Sequence, residues 1–260
     1  MTDSQLQYNS IGSKYAEIQE VDRRKYVEHY TVHNRMLRRV ADENGLLTGK
    51  RALDLGCGQG YYTRILKALN CTYVLGVDVS SAMIDLARKI ESHNKDDIDY
   101  IVADARTLPS PQQPFNLVTC IYVFDHAQTE KNLFEMIRTI YTQLTEDGHL
   151  IAIIANVRAG KNAFENRKYG IKKRYKNPVD ENHVPNGTEI IVTLYNKKDE
   201  PTCTFTDYYY SAETYEQIFK EIGFKSFDWV LMECDPEAPN KEFYDEYIKC
   251  PSSVGFIAKK

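Results

Sequence analysis

Arg51-Ala52-Leu53-Asp54-Leu55-Gly56-Cys57-Gly58-Gln59-Gly60 is the stretch whose reading decides the fold. Arg51 to Leu55 is a short apolar run of the kind that forms a buried strand, and Tyr61 to Leu69 reads as the helix that follows it. Between them lie three glycines at alternate positions. A turn this tight needs positive φ or a missing Cβ, and it lets a ligand lie against the backbone. A dinucleotide fingerprint requires glycine at the first, third and sixth places. Here the sixth place is Tyr61, so that pattern fails, and Asp54 stands two residues before the first glycine instead.

Working outward, Tyr73-Val74-Leu75-Gly76-Val77-Asp78 is a second apolar run, ending in an acid 18 residues after Gly60. An acid at the tip of a second strand faces the two ribose hydroxyls of a nucleoside laid over the glycine loop. Val79-Ser80-Ser81-Ala82-Met83 opens the next helix with Ser80 as N-cap, and a third strand, Ile98 to Val102, leads into Ala103-Asp104-Ala105. Acidic-x-Gly-x-Gly-x-Gly, followed by these two acids in order, resembles the class I S-adenosylmethionine (SAM)-dependent methyltransferases. The resemblance implies a Rossmann-like α/β fold with a seven-stranded, mostly parallel sheet whose last strand is antiparallel. It also implies that Asp54, Gly56, Cys57, Gly58, Gly60, Asp78, Val79, Met83, Asp104, Ala105 and Tyr122 hold SAM, with Asp104 accepting from the adenine amino group.

The chain has 260 residues, enough for one large domain with an insertion. A formal net charge of −4 disfavours nucleic acid and anionic membranes as partners. The six cysteines are scattered without zinc spacing, which fits a reduced, cytoplasmic compartment without structural disulfides. No signal peptide is visible, and the longest apolar run, Leu150 to Ala155, is too short to span a bilayer. A soluble protein is expected, with its oligomeric state left open.

The organisation reads as a helical lid (1–48), a SAM-binding core (49–155), a cap insertion (156–210) and a C-terminal helix with strands (211–260). In the lid, Tyr8-Asn9-Ser10-Ile11-Gly12-Ser13-Lys14-Tyr15 resembles a lead-in that closes over SAM in many small-molecule methyltransferases. The same residues also suit an ordinary amphipathic helix docking its tyrosines. A helix over Val21 to Glu43 follows, its five arginines mostly on a solvated face. One of those arginines, or Tyr15, would meet the carboxylate of the methionine moiety. From Lys50 to Ala155 strands alternate with helices, which argues for a parallel sheet. The fourth strand is Phe115 to Ile121, a helix spans Thr129 to Leu144, and the turn at Glu146-Asp147-Gly148 leads to a fifth strand, His149 to Ala155. In the insertion, Glu189 to Tyr195 and Cys203 to Tyr210 form a hairpin, while the basic-aromatic run Arg167 to Lys176 reads as a solvated loop. Phe224 to Leu231 and Ser253 to Lys259 are the last two strands.

After the fourth strand this chain lacks the Asp/Asn-Pro-Pro-aromatic sequence of nucleobase amino-methylating enzymes. It also lacks the acid pair of the catechol type, so no metal is expected. Phe124-Asp125-His126-Ala127, Tyr169-Gly170, Phe205 to Ser211, Tyr215-Glu216 and Gly223-Phe224 resemble the toxoflavin-synthase-like group of small-molecule methyltransferases. The chain departs from that group by Tyr210 in place of tryptophan and His126 in place of tyrosine. The resemblance implies methyl transfer to an O or N atom of a small aromatic or heterocyclic molecule. C-methylation of a quinone precursor, or SAM binding without catalysis, are the alternatives. Tyr8, Tyr15, Tyr122, Tyr208, Tyr209 and Tyr210 suit an aromatic-walled pocket, and His126, Tyr209 and Tyr210 are the candidate catalytic groups.

Overall fold

A computed structural model describes Asn9 and residues 22–260. Tyr8 and Tyr15, and with them residues 1–8 and 10–21 of the expected lid, lie outside the described residues. Seven strands form one sheet in the order β3-β2-β1-β4-β5-β11-β10. They are β1 (Arg51–Leu55), β2 (Tyr73–Asp78), β3 (Asp99–Val102), β4 (Phe115–Ile121), β5 (Leu144–Ala155), β10 (Ser226–Val230) and β11 (Ser253–Lys259). The pairs from β3 through to β5 are parallel, and β11 runs antiparallel to both β5 and β10. Helices α1 (Tyr61–Ala68), α2 (Ser81–Asn94), α3 (Glu130–Gln143), α4 (Ala212–Ile222) and α5 (Lys241–Lys249) complete the α/β layers.

Strand alternation divides the core between the two faces of the sheet. Leu150, Ala152 and Ile154 of β5 join Leu53, Leu55, Val118 and Phe256 beneath Ile137 and Ile140 of α3 and Tyr215 and Phe219 of α4. Ile151 and Ile153 point the other way, onto Val27, Val32, Met36 and Leu37 of the N-terminal segment and Tyr244 and Tyr247 of α5. The helices start where their caps dictate, since Ser80, Thr129 and Ser211 each accept a backbone N–H three residues on.

The N-terminal segment is not one regular helix. It runs as wide π-type turns over Arg24–His29 and Val32–Met36, then tightens to a 3₁₀ turn at Leu37–Arg39. Its arginines divide accordingly: Arg35, Arg38 and Arg39 face solvent, whereas Arg23 and Arg24 are buried and not on the solvated face expected for them. The fifth strand begins at Leu144, earlier than expected, and takes the turn residue Asp147 into itself at a left-handed φ of 63°.

The insertion is more ordered than its composition suggests. β8 (Thr188–Tyr195) and β9 (Pro201–Tyr209) form the expected hairpin, but β7 (Ile171–Tyr175) and the short β6 (Glu165–Asn166) extend it to a four-stranded antiparallel sheet. The run expected as a solvated loop is therefore largely strand. Ile171 and Lys173 turn inward, Arg174 is exposed, and Ile171 joins Ile190, Val192, Leu194, Cys203 and Phe205 in a separate apolar cluster.

Candidate functional site

The glycine loop lies across the carboxyl ends of β1 and β2, where open α/β sheets bind ligands. Gly56 and Cys57 both donate their amides to the Val77 carbonyl, at 2.7 and 3.0 Å, which ties the loop to the second strand. Gly60 holds φ 84° at the start of α1, and a Cβ there would run into the Tyr100 hydroxyl. Gly58 also needs positive φ, at 53°, yet no atom of the described residues lies within 4 Å of where its Cβ would stand. The Cys57 side chain turns away into a buried cluster with Ile84, Ala87, Ile98 and Tyr100.

Asp78 closes the loop from the β2 side. Its Oδ2 accepts the Gly58 amide at 2.9 Å and its Oδ1 accepts the Ser80 amide at 2.8 Å. Each carboxylate oxygen has a further lone pair for a diol. Burial raises the Asp78 carboxyl above its ordinary value, and the Ser80 and Gly58 amides pull it back. Val79 is half-buried and Met83 is buried beyond it. The Ser80 hydroxyl donates to Asn9 Oδ1 at 2.6 Å, so Asn9 of the lead-in stands at this corner.

Two acids expected to face the cofactor are engaged within the protein. Asp54 is 2 % exposed and accepts from Thr63 of α1 at 2.6 Å and Thr119 of β4 at 2.7 Å. It pins three elements under the loop, and burial drives its carboxyl up to about 6 against those two bonds. Asp104 is gripped by its neighbour Arg106, with Nη2 to Oδ2 at 2.6 Å and Nε to Oδ1 at 3.0 Å. Burial works to raise the Asp104 carboxyl, but the Arg106 contacts outweigh it and leave it below its ordinary value. The adjoining Ala105 is buried.

On the other side of the loop, Tyr122 directly follows β4 at a left-handed φ of 58°, a conformation that a bulky side chain adopts only under constraint. The constraint is visible. Its amide donates to the Ile153 carbonyl at 2.8 Å and its hydroxyl to Glu28 Oε1 at 2.7 Å. Glu28 is ion-paired with Arg23, Arg24 lies 3.7 Å from its other oxygen, and the Arg24 guanidinium sits 5.8 Å from the Tyr122 ring centroid. Next to this network His29 stacks on Tyr61 at 4.2 Å and shares a 2.7 Å hydrogen bond with its hydroxyl. Burial, then the charges of Arg24 and Arg23, push His29 down to about 3, so it is neutral at physiological pH. The sequence named the arginines as a group, and nothing in it singled out the buried pair.

A second recess opens between the end of β5 and the inner face of the four-stranded sheet. It is partly open to solvent and is lined by Phe164, Tyr175, Tyr208 and Tyr209, with Lys173 and Asp207 among them. Tyr208 and Tyr209 were expected in such a wall, while Tyr175 comes from the run read as a solvated loop and Phe164 stands just before that run. Tyr210 is not in the wall. Its ring is fully buried against Tyr215, and its hydroxyl donates to the Ala127 carbonyl at 2.7 Å, fastening β9 to the turn that carries His126. His126 lies behind the wall, Nδ1 3.3 Å from Asp207 Oδ1. Burial lowers it to about 4, which makes it a weaker base at neutral pH than an unperturbed imidazole. Among the described residues no group of three or more His, Cys, Asp or Glu side chains could hold a metal, and no helix is long and apolar enough to cross a membrane.

Residues 52–148 match a family model described as a methyltransferase domain. A ubiquinone biosynthesis O-methyltransferase of Coxiella burnetii is 32% identical over 89 residues, a stretch covering 34% of this chain and 38% of that protein. This chain thus matches well under half the length of that relative. Among solved structures, a SAM-dependent methyltransferase from Clostridium acetobutylicum superposes with a TM-score of 0.66 at 17% identity, covering 95% of this chain and 98% of that one. The magnesium protoporphyrin IX methyltransferase of Synechocystis PCC 6803, solved with bound S-adenosylhomocysteine (SAH), gives 0.63 at 15% identity and covers 99% and 98%. With the strand order and the single antiparallel strand described above, the fold is the Rossmann-like fold of the class I methyltransferases.

Proposed function

We propose that this chain is a SAM-dependent methyltransferase that delivers the methyl group to an O or N atom of a small aromatic or heterocyclic molecule. The observation that carries this reading is the Asp78 carboxylate, clamped by the Gly58 and Ser80 amides beside the open face of Gly58. A diol donating to that carboxylate and a nucleoside lying on that glycine are what the corner fits. In this reading Asp104 and Ala105 read the adenine edge, and Arg24, beside Tyr122, is the candidate partner of the methionine carboxylate. Bound there, SAM supplies a methyl group already activated on a sulfonium.

The chain's own part is positioning and exclusion of water. Holding an acceptor in near-attack geometry supplies about 7–11 kcal/mol. The aromatic recess under the second sheet offers a planar acceptor Phe164, Tyr175 and Tyr209 to pack on. Two sheets closing on one recess also keep water from it.

The test is to incubate the protein with methyl-labelled SAM and a fractionated metabolite extract and to follow the label by mass spectrometry. Label in a small aromatic product, with one SAH formed per methyl moved, is the expected result. Calorimetric SAH binding with no label transferred to any fraction would instead favour a binding protein without catalysis.

A further inference from the structure

The inner face of the four-stranded sheet is mostly apolar but carries two oppositely charged side chains. Lys173 of β7 and Asp207 of β9 both point inward among Ile171, Ile190, Val192 and Phe205, and both line the aromatic recess. They are 5 % and 7 % exposed. From the first sheet Asp125, 2 % exposed, comes up beside them from the turn after β4. Taking a charge out of water costs several kcal/mol per ion, so such a group persists where something compensates it.

The compensation within the protein is incomplete. Asp125 Oδ1 accepts the Ala155 amide at 3.0 Å, and Lys173 Nζ donates to the Ser252 carbonyl at 3.0 Å. Among the described residues, Asp125 Oδ2 and Asp207 Oδ1, both buried, have no hydrogen-bond donor. His126 Nδ1 is 3.3 Å from Asp207 Oδ1 but is not in hydrogen-bonding geometry with it. Two carboxyl groups thus share one lysine. The other cation acting on this cluster, Arg23, is already ion-paired with Glu28. Burial and the neighbouring Asp125 hold the Asp207 carboxyl well above its ordinary range, with Lys173 only partly offsetting them. Among the described residues, the recess lacks one positive charge and one donor aimed at Asp207 Oδ1.

We infer that the recess binds a protonated amine carried on an alkyl side chain of an aromatic ring, its N–H donating to Asp207 and its ring lying against Tyr175 and Tyr209. The ligand's charge then completes the cluster, with two carboxylates facing two cations. Taking this amine as the methyl acceptor rests on the methyl-transfer reading above. In that role Asp207 has a second task, because an ammonium has no lone pair to offer. The docked ammonium passes one proton to Asp207, the carboxylate becomes a carboxyl, and the nitrogen is left as a neutral amine with its lone pair exposed. His126 and Lys173 are then positioning residues behind that carboxylate.

The test uses 2-phenylethylamine and its neutral counterpart 2-phenylethanol as probes, titrated by calorimetry into the wild-type chain with and without SAH. The amine should bind about tenfold or more tighter than the alcohol, the range of a charge-assisted hydrogen bond. Asp207→Asn should erase that difference, and Lys173→Met should preserve or enlarge it. Equal affinity for the two probes, or no amine binding by the wild-type chain, overturns the inference without recourse to any variant. If Asp207 merely keeps its proton against His126, equal affinity is what will be seen. Failure of SAH to bind while the amine is still preferred would overturn the methyl-transfer reading and leave the recess assignment standing.

Discussion

Replacing Asp78 by alanine separates the two jobs that the structure gives this residue. It removes the acceptor proposed for the ribose diol and also the acceptor of the Gly58 and Ser80 amides, at 2.9 and 2.8 Å. Hydrogen bonds to a charged group contribute about 1.5–3 kcal/mol each. Losing two from a diol gives at least about 3 kcal/mol, or roughly 150-fold in SAH affinity. On the protein side, two amides lose a charged partner beside a half-exposed loop that water can enter. The expected destabilisation is about 2 kcal/mol, or a fall of about 4–8 °C in melting temperature for a domain of this size. Asp78→Asn keeps one acceptor oxygen and should fall between wild type and alanine in both respects. Calorimetry with SAH and thermal unfolding of the same samples read the two effects separately. An alanine variant that binds SAH within threefold of wild type refutes the placement of the ribose. One that melts like wild type refutes the clamp.

Three further outcomes are expected. Tyr210→Phe removes only the bond to the Ala127 carbonyl, so it should lower stability by about 0.5–1.5 kcal/mol in urea and leave SAH affinity and methyl transfer unchanged. A hundredfold loss of transfer would restore the catalytic role expected for Tyr210 from the sequence. Thr63→Val and Thr119→Val each strip a donor from the buried Asp54 and should each destabilise by about 1–3 kcal/mol, with wild-type stability at pH 7 as the contrary result. His126 is held down to about 4 by burial, against about 6.5 when unfolded, so the unfolded chain binds the extra proton between those values. Its contribution is fully present above pH 6.5 and lost as pH falls toward 4. His126→Asn should therefore shrink the acid-side loss of stability in that window by up to about 3 kcal/mol, and an unchanged pH profile would show His126 to be solvated.

What the sequence made legible was local. Strand, glycine loop, helix and the acid at the tip of β2 are contiguous, and their geometry follows from a handful of adjacent residues. Asp54 shows the limit. Its position before the glycines was plain, but the hydroxyls that occupy it come from residues 9 and 65 positions away, and only folding brings them together. The same holds for Arg23 and Arg24, whose burial depends on Glu28, Tyr122 and Tyr169. In β7 the signal was present but masked. Ile171-Lys172-Lys173-Arg174-Tyr175 alternates correctly, but one of its inward positions is a lysine, so a half-buried strand looked like a charged loop.

That inward lysine also divides the labour between the two sheets. The corner holding Asp78, Gly58 and Ser80 belongs to β1, β2 and the loops that leave them, and the four-stranded sheet supplies none of these residues. Conversely, Lys173, Tyr175, Asp207, Tyr208 and Tyr209 all come from the four-stranded sheet. An apolar inner face would bind the first sheet at lower desolvation cost, since replacing buried ions with well-packed apolar groups is often neutral or stabilising. A chain that retains Lys173 and Asp207 in that face forgoes that stability for discrimination at the recess. Lys173→Met and Asp207→Leu together should then raise the melting temperature or leave it level, abolish preference between charged and neutral ring compounds, and leave SAH affinity within threefold of wild type. A joint loss of SAH binding would mean that the two sheets form one site, with cofactor and acceptor not separable by mutation.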